Sequence, residues 1–89
     1  MWQKELHKVI KWAGSQHKLA VALGLNRKVI NNWLNRDVQV PVKYALQIEI
    51  LMKGRVLAER LAPYAKTEIL NFKKYLSEKM LNEKLYGPL

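Results

Sequence analysis

A single glycine, Gly24, separates two short amphipathic patterns and constrains the fold of this chain more than any other residue. The residues before it place leucine and alanine on one helical face, and the residues after it begin a second apolar face. A glycine at this position predicts a left-handed residue that ends the first helix. We therefore predict one helix from Gln16 to about Leu23 and another from Arg27 to about Leu34, joined by a tight turn.

Polar residues suited to capping stand at the start of both predicted helices. Ser15 precedes the first helix and Asn26 the second, and the side chain of each can accept a hydrogen bond from a backbone N–H that has no partner in the first turn. Leu25 and Ile30 occupy the two positions of a hydrophobic staple around Asn26. The pattern therefore predicts where each helix begins.

The spacing of small and apolar residues across this stretch matches a helix-turn-helix unit. A small residue in the first helix allows the two helices to cross closely, and a glycine allows a turn of about three to four residues between them. Counted from Gln16, the matching residues stand at places five, nine, ten, fifteen and eighteen: Ala20, Gly24, Leu25, Ile30 and Trp33.

The helix that begins at Arg27 divides into a polar face and an apolar face. At about 100° per residue, with Arg27 at 0°, Asn31 lies near 40°, Lys28 near 100° and Asn32 near 140°. Arginine can pair with guanine and asparagine with adenine in the major groove of DNA. The polar face therefore has the residue types that read base edges. The rest of the circle is apolar and holds Val29, Ile30, Trp33 and Leu34.

The remaining chain also has helical spacing and predicts an all-α fold. We expect helices from Trp2 to about Ala13, from Pro41 to about Met52 and from about Thr67 to Tyr86, with a short turn or helix before Pro63. The predicted division is a helix-turn-helix domain over residues 1–63 and a C-terminal helix over residues 64–89.

The charge of the chain favours an anionic partner. It has 16 basic and 7 acidic residues, which gives a formal net charge of +9. Residues 1–40 have seven basic and two acidic side chains, for a net of +5, whereas residues 67–89 have four and three, for a net of +1. Nucleic acid is the commonest partner for such a field, followed by an acidic protein or a membrane surface.

Several kinds of chemistry lack their residues in this chain. There is no cysteine, and His7 and His17 do not share a helical face, so no metal site is expected. No nucleophilic triad or phosphate-binding glycine loop is present, so we expect no enzyme and no cofactor. Glu49 and Glu59 stand among apolar and basic residues, and Glu49 is expected to pair with a Lys or Arg. No apolar run approaches the roughly 20 residues of a membrane span.

Three segments resemble a known family. "SQHKLAVALGLNRKVINNWLNR", "VPVKYALQIEILMKGRV" and "ERLAP" are together similar to the phage Cro-like and YdaS-type small helix-turn-helix regulators of the lambda-repressor-like superfamily. The resemblance covers about residues 4–63 and implies four to five helices. It also implies a bacterial or phage-derived DNA-binding repressor that acts as a dimer in the bacterial cytoplasm, at the nucleoid. Leu57 stands where such proteins often have a Ser or Thr cap, and Tyr64 where an acidic residue is usual.

The resemblance also implies which residues meet DNA. By position, Gln16 and His17 lie at the DNA backbone and groove edge, and the polar face of the following helix meets bases and phosphates. Lys18 and Lys43 are expected at phosphates. The predicted DNA-binding residues are Gln16, His17, Lys18, Asn26, Arg27, Lys28, Asn31, Asn32, Arg36 and Lys43.

The C-terminal helix has its own apolar stripe, formed by Ile69, Phe72, Leu76 and Met80 within an arc of about 80°. Three uses are open: packing on the domain's own core, a dimer interface, or binding of a partner protein or membrane. The near-neutral charge of the helix argues against membrane binding.

These observations predict a sequence-specific regulator that binds double-stranded DNA. In its most specific form it is a Cro-like phage or prophage repressor that binds an inverted-repeat operator as a homodimer. The alternative is an antitoxin that binds a toxin protein and represses its own operon. A third possibility is a helix-turn-helix protein of DNA packaging or recombination.

Overall fold

The computed structural model describes residues 2–86, and it describes side chains over residues 2–79. Within this range the chain forms helices and no strand, so the all-α prediction is confirmed. A single turn of 3-10 helix, Pro63–Ala65, precedes the last helix. The helices are α1 Trp2–Ala13, α2 Gln16–Leu23, α3 Arg27–Asn35, α4 Val42–Leu51, α5 Ala58–Leu61 and α6 Lys66–Tyr86.

One hydrophobic core joins the inner faces of these helices. α1 packs against α2, α3 and α5, while α5 also packs against α4 and α6. Every side chain that is buried among the described residues is apolar, so no charge has to be compensated in the interior. The largest fully buried side chains are Trp33, Leu6, Leu19, Ile30, Ile48, Leu61, Ile69, Val9 and Val40.

The helix ends differ from the predicted ones by a single residue at several places. α3 continues to Asn35, and Arg36 closes it by donating its backbone N–H to the Asn32 carbonyl. Pro41 is the N-cap residue of α4 and not its first residue, and its carbonyl accepts from the N–H groups of Tyr44 and Ala45. Proline suits this position because the helix does not need its missing N–H.

The start of α5 is capped by a residue from another helix. Leu57, at the N-cap position, makes no side-chain cap hydrogen bond. Glu49 of α4 instead accepts a hydrogen bond at Oε1 from the backbone N–H of Ala58, at 2.8 Å. A carboxylate also favours a helix N-terminus through the helix dipole. Glu49 therefore takes the place of the Ser or Thr cap that the resemblance led us to expect.

Lys73 joins α6 to the helices beneath it. Its Nζ lies 2.5 Å from Oε1 of Glu49 and 2.6 Å from Oε1 of Glu59. The predicted pairing of Glu49 with a cation is therefore confirmed, and the cation comes from α6. The hydrogen bond from Lys73 lowers the pKa of Glu59, against the opposing effect of burial. Burial alone would lower the pKa of Lys73, but the two carboxylates raise it above its ordinary value.

Two further hydrogen bonds fix the segment between α3 and α4. The Tyr64 hydroxyl donates to the Val40 carbonyl at 2.8 Å, which ties this segment to the 3-10 turn. Gln3 Nε2 donates to Oδ1 of Asp37 at 2.8 Å, which ties it to the start of α1. The polar tip of Tyr64 thus has a structural partner at the position where the resemblance leads one to expect an acid.

Candidate nucleic-acid interface

The turn between α2 and α3 has the geometry that Gly24 predicts. Gly24 has a φ of 70°, in the left-handed region. Its N–H donates to the Val21 carbonyl at 3.1 Å, and the N–H of Leu25 donates to the Ala20 carbonyl at 2.8 Å. This pair of bonds is the Schellman motif, which pairs the last carbonyls of a helix. α3 can therefore leave α2 after a very short turn and pack across it.

Both predicted N-caps are present. The Ser15 hydroxyl accepts from the Lys18 N–H at 3.1 Å, and Asn26 Oδ1 accepts from the Lys28 N–H at 2.8 Å. The cap uses the carbonyl oxygen of Asn26 and leaves its amide N–H groups as donors. Asn26 can therefore cap α3 and still donate to a phosphate oxygen or to an acceptor on a base.

The two faces of α3 lie where the angles predict. Ile30 and Trp33 are buried, with 0% and 1% of their surface exposed, while Val29 and Leu34 are half-buried against the core. On the other side, the predicted polar residues all reach the surface. Arg27, Lys28 and Asn31 are exposed and Asn32 is half-buried.

Asn35 also belongs to this polar face, although the predicted helix ended at about Leu34. With Arg27 at 0°, this one additional helical residue lies near 80°, between Asn31 and Lys28. Its Nδ2 donates to Oδ1 of Asn31. The i,i+4 spacing from Asn31 was the available indication. The Asn31 oxygen keeps a second lone pair and its amide keeps two donors, so it can still form the paired bonds that recognise adenine.

The remaining predicted contacts flank this face on several elements. His17 and Lys18 are exposed in the first turn of α2, while Gln16 is half-buried. Arg36 is exposed at the end of α3. Lys43 is exposed in the first turn of α4, where its Nζ lies 5.5 Å from the centre of the Tyr44 ring. That ring in turn packs on Trp33 at 5.9 Å between centroids, which connects this part of α4 to α3.

The charges around α2 and α3 have one sign. Residues 14–36 include four basic side chains and no acidic one. The next residue, Asp37, is acidic and keeps its charge, because the Gln3 amide that donates to its Oδ1 is neutral. The four basic side chains outweigh this single negative charge. Glu49 and Glu59 share Lys73 of α6. The exposed polar face of α3 thus lies in a positive surrounding, as binding to a phosphate backbone requires.

The described residues lack two other kinds of site. No three His, Asp or Glu side chains there lie close enough together to hold a metal ion. Nor is any helix in that part of the chain long and apolar enough to cross a membrane.

Residues 6–69 match the family model described as bacterial toxin YdaS. The chain belongs to the YdaS family. The matched range includes all of α2 and α3, so the resemblance to YdaS-type proteins is confirmed. The description of this family names a toxin, whereas the sequence led us to expect a regulator or an antitoxin. No curated protein and no solved structure matches the chain significantly.

The YdaS match ends at Ile69, which is also the last buried residue among the described side chains. Ile69 packs in the core of its own chain with 0% exposure, so this member of the predicted dimer stripe is not on the surface. Phe72 and Leu76 are 45% and 39% exposed. The side chain of Met80 lies outside the described residues. The division of the chain between residues 63 and 64 stays a prediction, and the core itself continues into α6.

Proposed function

We propose that this YdaS-family protein is a transcriptional regulator that binds double-stranded DNA sequence-specifically, with α3 in the major groove. The observation that carries the proposal is the exposed polar face of α3. Five side chains capable of hydrogen bonding to bases share this face, and none of them is acidic: Arg27, Lys28, Asn31, Asn32 and Asn35. A helix that needed only to be soluble would carry glutamate as readily as lysine.

The proposal extends to a repressor that acts as a homodimer, of the Cro-like phage or prophage kind. Two recognition helices on a two-fold axis can read twin half-sites about 34 Å apart on one face of the duplex. The operator should then be an inverted repeat. The outer side chains, including Lys18 and Lys43, hold the phosphates and fix the register, while Arg27 and Asn31 read bases.

Selection of bound sequences from a random DNA pool, with the full chain, tests this function directly. Arg27→Ala and Asn31→Ala should each weaken binding to the selected site by about 1–3 kcal/mol and relax the base preference at one position. Lys18→Ala and Lys43→Ala should instead weaken binding to all sequences about equally and reduce the salt dependence.

Arg60→Ala is the matched control, because Arg60 is exposed on α5, which packs against α1, α4 and α6. It should leave the selected sequence unchanged. An Arg27→Ala protein that keeps both the sequence preference and the affinity of the unaltered chain would refute this role of α3.

A further inference from the structure

The second half of α6 extends beyond the body of the domain. The structure measures 46 × 24 × 19 Å along its principal axes, and every described side chain from Lys74 to Lys79 is exposed. An isolated helical segment of this length has little stability in water. Tyr75 and Leu76 are 58% and 39% exposed on it. Such a helix gains stability when another helix covers an apolar face.

One face of this helix has coiled-coil spacing. This face is formed by Glu68, Phe72, Tyr75 and Lys79. These residues are four, three and four positions apart, the spacing at which side chains form the seam between two packed helices. With the buried Ile69 at 0°, they lie at about 240° to 300°, to one side of the face that meets the core. All four are exposed. We call them the α6 seam: Glu68, Phe72, Tyr75 and Lys79.

The α6 seam is complementary to itself in one orientation. When two copies of α6 lie antiparallel with Phe72 of one facing Tyr75 of the other, the same register puts Glu68 opposite Lys79. Two-fold symmetry repeats both pairs, so two aromatic contacts in the centre are flanked by two pairs of opposite charge. A two-fold interface requires this property, because one surface must fit its own copy.

We propose that α6 pairs antiparallel with α6 of a second copy along the α6 seam. Uncharged side chains are less suited to determine a register. This applies to Leu76 of α6 and, on α4, to the half-buried Leu46 and the exposed Ile50. The inference rests on the proposed function in one respect: a dimer matches an operator whose two half-sites are related by a two-fold axis. It replaces the predicted stripe, whose member Ile69 is buried, with a face that is accessible in the folded chain.

Charge exchange in the full chain tests the register, with sedimentation equilibrium in the absence of DNA as the measurement. Glu68→Lys alone, or Lys79→Glu alone, should weaken the dimer roughly tenfold, because each places like charges together twice. The double variant E68K/K79E should recover the original dimer constant within about twofold. Glu68 and Lys79 are about 16 Å apart along one helix, so the recovery cannot come from a contact within one chain.

Two variants complete the test. K74E/E78K exchanges charges on another face of α6 and should leave the dimer unchanged, whereas Phe72→Ala should weaken it at least tenfold. Circular dichroism checks that each variant is helical. A monomeric unaltered chain, or a dimer indifferent to all seam substitutions, overturns the inference. Neither result touches the role of α3, because sequence selection by single copies on isolated half-sites measures that role separately.

Discussion

Replacing Trp33 by alanine tests how α3 is oriented on the core. Trp33 is 1% exposed and its ring is tilted 43° against that of Tyr44, with 5.9 Å between centroids. Truncation of a buried tryptophan to alanine costs about 3–5 kcal/mol through lost burial and the remaining cavity. The lost aromatic pair contributes about 0.5–1.5 kcal/mol of this.

That loss is large for a chain of 89 residues. At roughly 0.05–0.15 kcal/mol per residue, its total free energy of unfolding is about 4–13 kcal/mol. A measurable fraction of Trp33→Ala should therefore be unfolded at room temperature. Urea titration followed by far-ultraviolet circular dichroism measures this, and Trp33→Phe should lie between the alanine variant and the unaltered protein.

Trp12→Ala is the matched control, because Trp12 on α1 is 50% exposed. The same truncation there should cost about 1 kcal/mol, as is typical of partly exposed positions. If Trp33→Ala were no more destabilising than Trp12→Ala, the burial of this face of α3 would be wrong. The assignment of the opposite face to DNA would fail with it.

Two further predictions concern the ion pairs of α6. Glu49→Ala should lower the free energy of unfolding by about 1–3 kcal/mol, measured by urea titration, because the Ala58 N–H loses its acceptor and Lys73 loses one carboxylate. The pKa of Glu59 is lower in the folded protein than its ordinary value of 4.5, so ionised Glu59 stabilises the fold at any pH above 4.5. This stabilisation should be lost as the pH falls from 4.5 through the lower pKa of the folded state. Thermal melts at decreasing pH should therefore show a smaller loss of stability for Glu59→Gln than for the unaltered protein.

Local hydrogen bonding explains why the helix-turn-helix unit could be predicted closely. The caps at Ser15 and Asn26 and the turn at Gly24 use partners within a few residues along the chain. Helical angles also predicted the burial of Ile30 and Trp33, since one apolar arc leaves a single way to face a core. Asn35 was missed because a cap residue and a last helical residue look alike in sequence.

Contacts between distant segments could not be predicted from local hydrogen bonding or helical angles. Glu49 caps α5 across nine residues, and Lys73 reaches both Glu49 and Glu59 from α6. Charge patterning predicted a cation for Glu49 but could not choose among the available lysines and arginines. Periodicity likewise placed Ile69 in an apolar stripe on α6, and only the fold shows that this side chain faces the core.

In the proposed dimer, the two carboxylates held by Lys73 would affect the spacing of the two DNA half-sites. They lock α6 to α4 and α5 at one angle, and α4 packs on α2, which packs on α3. In a dimer held through α6, that angle sets the distance between the two copies of α3 and hence the number of base pairs separating the half-sites. Loosening Lys73 would thus broaden the tolerance for spacer length while leaving the bases read within each half-site the same.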